Sequence, residues 1–226
     1  MKSIRLILVL AIAFLAMAAA GCGKAYVYDF ANEGSFIRGD EEWFSYVFPS
    51  GTAEFTSDGV YLDGSCVSSP LEFSGDMTYT AEFLLNVDAG HTCDILICMT
   101  DAIGIAHDSG LHFSFKSVGN PSAESCTISD LNMTMAQMEI HMDTPGQIPG
   151  LQRGGANVFR MVKRGNNVRA TINGVFLAEF ELRWYSSPWF NPAIMGDLAG
   201  EAASEYGFTL KSVSVKYSGD VKPMDL

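Results

Sequence analysis

The sequence predicts an all-β chain, a two-sheet antiparallel β-sandwich over residues 26–226, and three observations carry that expectation. Apolar and polar residues alternate with period two through most of the chain, the repeat of a strand with one buried face. Asn173-Gly174 separates two such runs, and Asn-Gly is the pair best suited to the positive φ angles of a tight hairpin turn. No segment beyond residue 21 shows the 3.6-residue period of an amphipathic helix. With 48% hydrophobic and 18% charged residues, a chain of this length can build the core of one domain.

The strands follow in order. Tyr26, Tyr28 and Phe30 alternate near the start. Tyr79, Ala81, Phe83, Leu85 and Val87 form one apolar face of a long strand; Cys93, Ile95, Ile97 and Met99 repeat the pattern, as do Leu111, Phe113 and Phe115. The Gly-, Pro- and Gln-containing stretch Thr144–Ala156 reads as a long loop. Val158–Leu182 reads as strand, turn at Arg164-Gly165-Asn166-Asn167, strand to Ile172, the Asn173-Gly174 turn and a third strand. A last strand lies near Phe208–Tyr217, and no internal repeat is evident.

Two of these stretches, and the close of the chain, carry a resemblance. Gly75-Asp76-Met77-Thr78-Tyr79-Thr80-Ala81-Glu82-Phe83 is similar to the early strand after a Gly-Asp turn in concanavalin A-like jelly rolls. Val158–Val168, continuing to Ile172-Asn173-Gly174, resembles their late hairpin, and Leu210-Lys211-Ser212-Val213-Ser214-Val215 their last strand. The resemblance implies a jelly roll of the kind shared by lectins, laminin G modules and bacterial glucanases. It leaves function open, because such folds host binding modules, hydrolases and scaffolds alike. Glucanases of this fold carry Glu-x-Asp-x-x-Glu or Glu-x-Asp-x-Glu on one strand, and neither occurs here: Glu179-Phe180-Glu181 is too short, and Asp40-Glu41-Glu42 falls in an expected loop.

The first 21 residues hold Lys2 and Arg5 and then an apolar run, Leu6 to Ala20, of about 15 residues, against about 20 needed for a membrane-spanning helix. A charged start, a short apolar stretch and small residues describe a secretory signal. Ala19-Ala20-Gly21-Cys22 resembles the lipobox of bacterial lipoproteins, although those more often have Leu where this chain has Ala19. The resemblance implies cleavage before Cys22, acyl chains such as palmitate on that cysteine, a short tether over residues 22–25 and attachment to a membrane of the bacterial cell envelope. Gly23 after the cysteine, rather than Asp, favours the outer membrane by resemblance to enterobacterial sorting. The competing reading is an ordinary signal peptide that ends near a cysteine. Losing residues 1–21 removes two basic and no acidic residues, taking the net charge from −12 to −14. No Lys/Arg cluster is visible in the sequence, so nucleic acid is not an expected partner.

With Cys22 assigned to lipid, Cys66, Cys93, Cys98 and Cys126 remain, an even number that in an oxidising compartment predicts two disulfides. Cys93 and Cys98 fall on one strand, about 16 Å apart and on opposite faces, so each is expected to pair with Cys66 or Cys126. There is no C-x-x-C and no clustered His for zinc.

Three clusters are candidate sites. Arg183-Trp184-Tyr185-Ser186-Ser187-Pro188-Trp189-Phe190 concentrates aromatic rings in a connection, and Trp184, Tyr185 and Trp189 are the expected sugar-stacking residues; the alternative is a lid folded onto the core. If three strands share a face, their even positions bring together Thr80, Glu82, Asp94, His112 and Ser114, a set able to bind a polyol or act as acid and base, the alternative being a solvated outer face. Asn132–Met142 holds four Met and a His, the ligand types of envelope Cu(I) sites, but Met133/Met135 and Met138/Ile140/Met142 alternate as core-packing strand residues do. No metal and no cofactor are expected. The expected role is a lipid-anchored, glycan-binding protein of the cell envelope. The alternatives are a glycan hydrolase resembling the bacterial keto-disaccharide hydrolases of this fold, with Glu82 or Asp94 as acid/base, and a structural envelope protein that binds another protein.

Overall fold

The structure, a computed structural model, describes residues 23–32, 43–87, 92–101, 109–196 and 207–224. Cys22, the segment 1–21 and Asp40-Glu41-Glu42 lie outside the described residues. The strands are β1 (Lys24–Asp29), β2 (Phe44–Thr56), β3 (Gly59–Ser68), β4 (Leu71–Ser74), β5 (Met77–Asn86), β6 (Cys93–Thr100), β7 (Gly110–Val118), β8 (Ser125–Asn132), β9 (Gln137–Pro145), β10 (Gly154–Arg164), β11 (Asn167–Ile172), β12 (Val175–Glu181), β13 (Trp189–Gly196), β14 (Phe208–Tyr217) and β15 (Val221–Pro223). A single 3-10 turn, Met133–Met135, joins β8 to β9.

The strands form a two-layer antiparallel jelly-roll sandwich. One layer runs β12-β11-β10-β5-β14-β1. The other runs β2-β3-β13-β6-β7-β8-β9. The layers are continuous at one edge: the first residues of β14 pair with β3 through Phe208↔Leu62 and Leu210↔Val60, and after a bulge its remainder pairs with β1. Ring contacts across the gap fix the packing, Phe113 of β7 lying 4.8 Å from Phe159 of β10.

Alternation puts the expected residues inside. Tyr79, Ala81, Phe83 and Leu85 of β5 face the core with Phe159, Met161, Val168, Ala170 and Ile172. From the other layer come Ile95, Ile97, Met99, Leu111, Phe113 and Phe115. Each such large side chain contributes about 1.5–3 kcal/mol by leaving water. The Asn173-Gly174 turn forms as expected, with φ of 49° and 78°. The stretch expected to be a long loop is shorter than Thr144–Ala156, because β9 extends to Pro145 and β10 begins at Gly154. What remains is held by Glu124, a fully buried carboxylate that pairs with Arg153 and accepts the Ile148 N–H at 2.7 Å.

Two sequence expectations are corrected here. The four cysteines are buried thiols that form no disulfide, where two disulfides were expected. Cys93 and Cys126 face the inter-layer core, whereas Cys66 and Cys98 face a second apolar cluster, with Leu96, Ala193 and Met195, on the other side of the same layer. Within each same-face pair a strand intervenes: β7 separates Cys93 from Cys126, and β13 separates Cys66 from Cys98. Strands two apart are about 9.6 Å distant, beyond the Cα separation of about 7 Å that a disulfide spans. The Met-rich stretch is a strand, but not a core-packing one. β9 is the last strand of its layer, and Met138 and Ile140 on its outer row are exposed, as are Met133 and Met135 in the preceding turn. Only Met142, beyond a bulge at Ile128/Ser129, packs against the core.

Candidate functional site

The site grows from a carboxylate in an unusual place. On β8, Cys126, Ile128 and Asp130 share the core-facing row, so Asp130 is buried without exposed surface. An unpaired carboxylate there would cost several kcal/mol. Its Oδ2 accepts the backbone N–H groups of Arg183 at 2.9 Å and Trp184 at 2.7 Å, and its Oδ1 lies 2.7 Å from Nε2 of His141. The His141 ring stacks on Phe180 of β12 at 4.0 Å. Asn132, two residues on, donates from Nδ2 to the Trp184 carbonyl at 3.1 Å and accepts the Met135 N–H. Asp130 and Asn132 together hold the β12–β13 connection against the β8–β9 turn, with Glu139 adding a bridge to Arg183 at 3.2 Å.

Between them opens a cleft of about 350 Å³, lined by Asp101, Ser109, Asn132, Thr134, Met135, Tyr185, Ser186 and Ser187. Its residues come from the ends of β6, β7 and β8 and from the anchored connection. Tyr185 is mostly core: it is 6% exposed, packs on Phe190 at 4.8 Å, and its hydroxyl donates to the Trp189 carbonyl at 2.5 Å. Burial first, and then the negative charge of Asp101, push that hydroxyl's pKa well up, so it remains a donor at any physiological pH. Ser187 Oγ accepts the Trp189 N–H at 3.2 Å, and Ser109 Oγ accepts the Met133 N–H at 2.8 Å. Among the described residues, the walls therefore present hydroxyl and amide groups and one carboxylate around two apolar surfaces, Tyr185 and Met135.

The candidates read from sequence are not brought together. Trp184 and Trp189 are half-buried, and Tyr185 alone of the three lines the cleft. Lys222 Nζ lies 5.1 Å from the Trp189 ring centroid. The shared sheet face expected for Thr80, Glu82, Asp94, His112 and Ser114 does not exist. β5 lies in one layer and β6 and β7 in the other, so Glu82 and Thr80 are on the outer face of the opposite layer from Asp94, His112 and Ser114. Asp94 is engaged by the Ser117 N–H at 2.6 Å. It is four residues along β6 from Cys98, the register partner of His112, which is about 13 Å of strand. The candidate-site residues that the sequence does not single out are Asp101, Ser109, Asp130 and Asn132. For Asp130 a signal was present: a carboxylate in the apolar row of an alternating stretch. Among the described residues, no group of three or more His, Cys, Asp and Glu side chains is placed to hold a metal ion.

No family model and no curated protein matches the sequence. Solved structures match it in shape. The carbohydrate recognition domain of Emp47p is 9% identical, with a TM-score of 0.58 over 86% of this chain and 95% of that one. A glycoside hydrolase family 16 endo-glucanase from Bacteroides ovatus is 12% identical, with a TM-score of 0.53 over 84% and 98%. The carbohydrate-binding module CBM66 from Bacillus subtilis is 14% identical, with a TM-score of 0.50 over 77% and 94%. At such identities the likeness is one of fold, and the chain is similar to all three as a concanavalin A-like antiparallel jelly roll.

Proposed function

We propose that this chain is a lipid-anchored protein of the bacterial cell envelope, held on a membrane (the outer one where the cell has two) through Cys22, that binds a glycan in the Tyr185 cleft. The observation that carries the binding reading is the cleft's lining. Ser109, Asn132, Thr134, Ser186 and Ser187 offer the mixed donors and acceptors that a sugar's hydroxyls need, and Tyr185 and Met135 offer apolar surface for its C–H groups. About 350 Å³ is the lower end of the range for small-ligand sites and suits one or two sugar rings. The carbohydrate recognition domain of Emp47p and the carbohydrate-binding module CBM66 share this fold, which supports the reading. Binding is favoured over hydrolysis because glycosidases of the usual kind set two carboxyl groups about 5–9.5 Å apart. Here Glu82 and Asp94 are in different layers, and among the described residues Asp101 is the one carboxylate in the cleft's lining.

The test is an oligosaccharide array run with the wild-type protein and with Ser186→Trp, which fills the cleft from an exposed position, beside a reducing-sugar release assay. Binding by the wild type, its loss in S186W at an unchanged melting temperature, and no sugar release are expected. Release of reducing ends, or binding indifferent to S186W, would overturn the assignment.

A further inference from the structure

A second cleft lies on the outer face of the β1-containing layer, and it is cationic in a chain whose net charge is −12. Its volume is about 680 Å³, and it is lined by Gly23, Asp76, Thr78, Arg160, Arg164, Lys216, Tyr217 and Ser218. The sheet register explains the convergence. Thr78 of β5 pairs with Lys216 of β14 on one side and Val162 of β10 on the other, so Arg160 and Arg164 flank the floor that Lys216 borders. These even-numbered positions of β10 and β14 point away from the core, where alternation predicts ordinary polar side chains. Among the described residues, none of the three cations has a carboxylate within ion-pair distance. Asp76, the one acid in the lining, is occupied by the Gly165 N–H at 2.8 Å. Of the other acids of this face, Glu82 lies two residues of strand from the Arg160 row, Asp29 stands about 13 Å along the strands from Lys216, and on β12 Glu179 pairs with Arg169 at 3.8 Å while Glu181 lies two strands from Arg164.

Two further features belong to the same face. Gly23, in the lining, is the residue next to Cys22, so the cleft opens where the chain would leave a lipid-bearing cysteine. The row through Arg160 runs Val27–Ser214–Thr80–Arg160–Thr171–Phe176, and the apolar residues at its two ends are 62% and 51% exposed. Cations at the centre with apolar side chains at the edges is the composition of a surface that rests on anionic lipid, the apolar groups entering the acyl boundary and the cations meeting phosphate.

We propose that this face docks on an anionic phospholipid surface, Arg160, Arg164 and Lys216 receiving lipid phosphates beside the anchor point. The docking would hold the domain flat against the membrane rather than loose on its anchor. It builds on the lipid-anchor reading, and it is tested without the lipid.

The unacylated Cys22→Ser chain is sedimented with vesicles of equimolar phosphatidylglycerol and phosphatidylcholine, and with vesicles of phosphatidylcholine alone. Binding to the first only is expected, abolished by 0.5 M NaCl. In the Arg160→Gln/Arg164→Gln/Lys216→Gln variant it should weaken by about 100-fold, from about 1 kcal/mol per cation. All three positions are exposed, so an unchanged melting temperature certifies the variant's fold. Equal sedimentation of the triple variant, or none by the parent, overturns the proposal. So does saturable binding of inorganic phosphate without any preference for the anionic vesicles, which would assign the cleft to a soluble anion. Labelled palmitate on the wild-type chain is scored separately, so failure of the anchor and failure of the docking face are distinct results.

Discussion

At position 130 a carboxylate occupies a core-facing place, in line with Cys126 and Ile128, and the fold tolerates it because backbone amides of the 183–185 connection and the His141 ring converge on its two oxygens. Asp130→Ala leaves those donors unpaired out of water and is expected to destabilise the protein by about 3–5 kcal/mol, read from urea midpoints. Because the same amides fix the cleft wall, glycan binding should be lost with it. Asp130→Asn keeps an acceptor and should recover part of both. The thiols make a different residue-scale statement. Burial pushes Cys66 from 9.0 up to about 12, and burial with the Asp143 charge pushes Cys126 to about 12. In the unfolded chain these thiols ionise near pH 9, while in the folded one they hold their protons, so above pH 9 the unfolded state binds fewer protons. The stability is therefore whole below about pH 9 and falls as pH rises toward 12, by about 1.4 kcal/mol per unit for each thiol. Cys66→Ala should flatten that alkaline limb in a series of thermal melts. Four thiols should react with Ellman's reagent only after unfolding, and reductant should leave the melting temperature unchanged.

Among the elements, those legible in the sequence are those whose burial is one-sided. β5, β10 and β11 each have one face on the core and one in water, and alternation names their inner residues without error. Their turn is legible for the same local reason. Asn173 also accepts the Val158 N–H at 2.8 Å and donates to the Gly150 carbonyl at 2.9 Å, whereas Gly174 has open space around a would-be Cβ. Gly174→Ala should thus cost about 1 kcal/mol of backbone strain alone, and Asn173→Gly more, since it keeps the conformation and loses the hydrogen bonds; chemical denaturation compares the two. β13 was not legible, because it is buried on both faces and contains Pro192. A proline is tolerated in that central strand because its carbonyl accepts the Ser69 N–H where β3 gives way to β4, so its missing donor points at a break in the ladder. Asn191 fills the break, donating to the Ser69 and Leu71 carbonyls. The cleft was half legible. The aromatic connection was visible, but which of its rings turn inward depends on Asp130, a contact 53 residues away along the chain from Arg183. The expected face of Glu82 with Asp94 and His112 failed for the converse reason: parity tells which side of a strand a residue occupies, not which layer the strand joins.

Across the whole molecule the charge is distributed unevenly, and the distribution bears on how the domain would sit at a membrane. The net charge, −14 once residues 1–21 are lost, repels an anionic bilayer at long range, but screening confines the interaction to the nearest surface, and the cleft that adjoins Gly23 is lined by three cations that, among the described residues, have no ion-pair partner. The Tyr185 cleft takes its walls from the ends of β6, β7 and β8 and from the β12–β13 connection, and it shares no lining residue with the basic cleft. This geometry would depend on the covalent anchor proposed at Cys22. β1 begins at Lys24, two residues after Cys22, so the tether between a lipid there and the sheet is short. Acyl chains contribute about 0.8 kcal/mol for each buried methylene, far more than the face's cations supply, so the anchor should dominate partitioning while the face sets orientation. Cys22→Ser is accordingly expected to move the exported protein from the detergent phase to the aqueous phase in a Triton X-114 separation at physiological salt, and to abolish incorporation of labelled palmitate. A wild-type chain that takes up no palmitate would show the anchor to be absent. A C22S chain that stays with the membranes in 0.5 M NaCl would show that something other than lipid or charge holds it there.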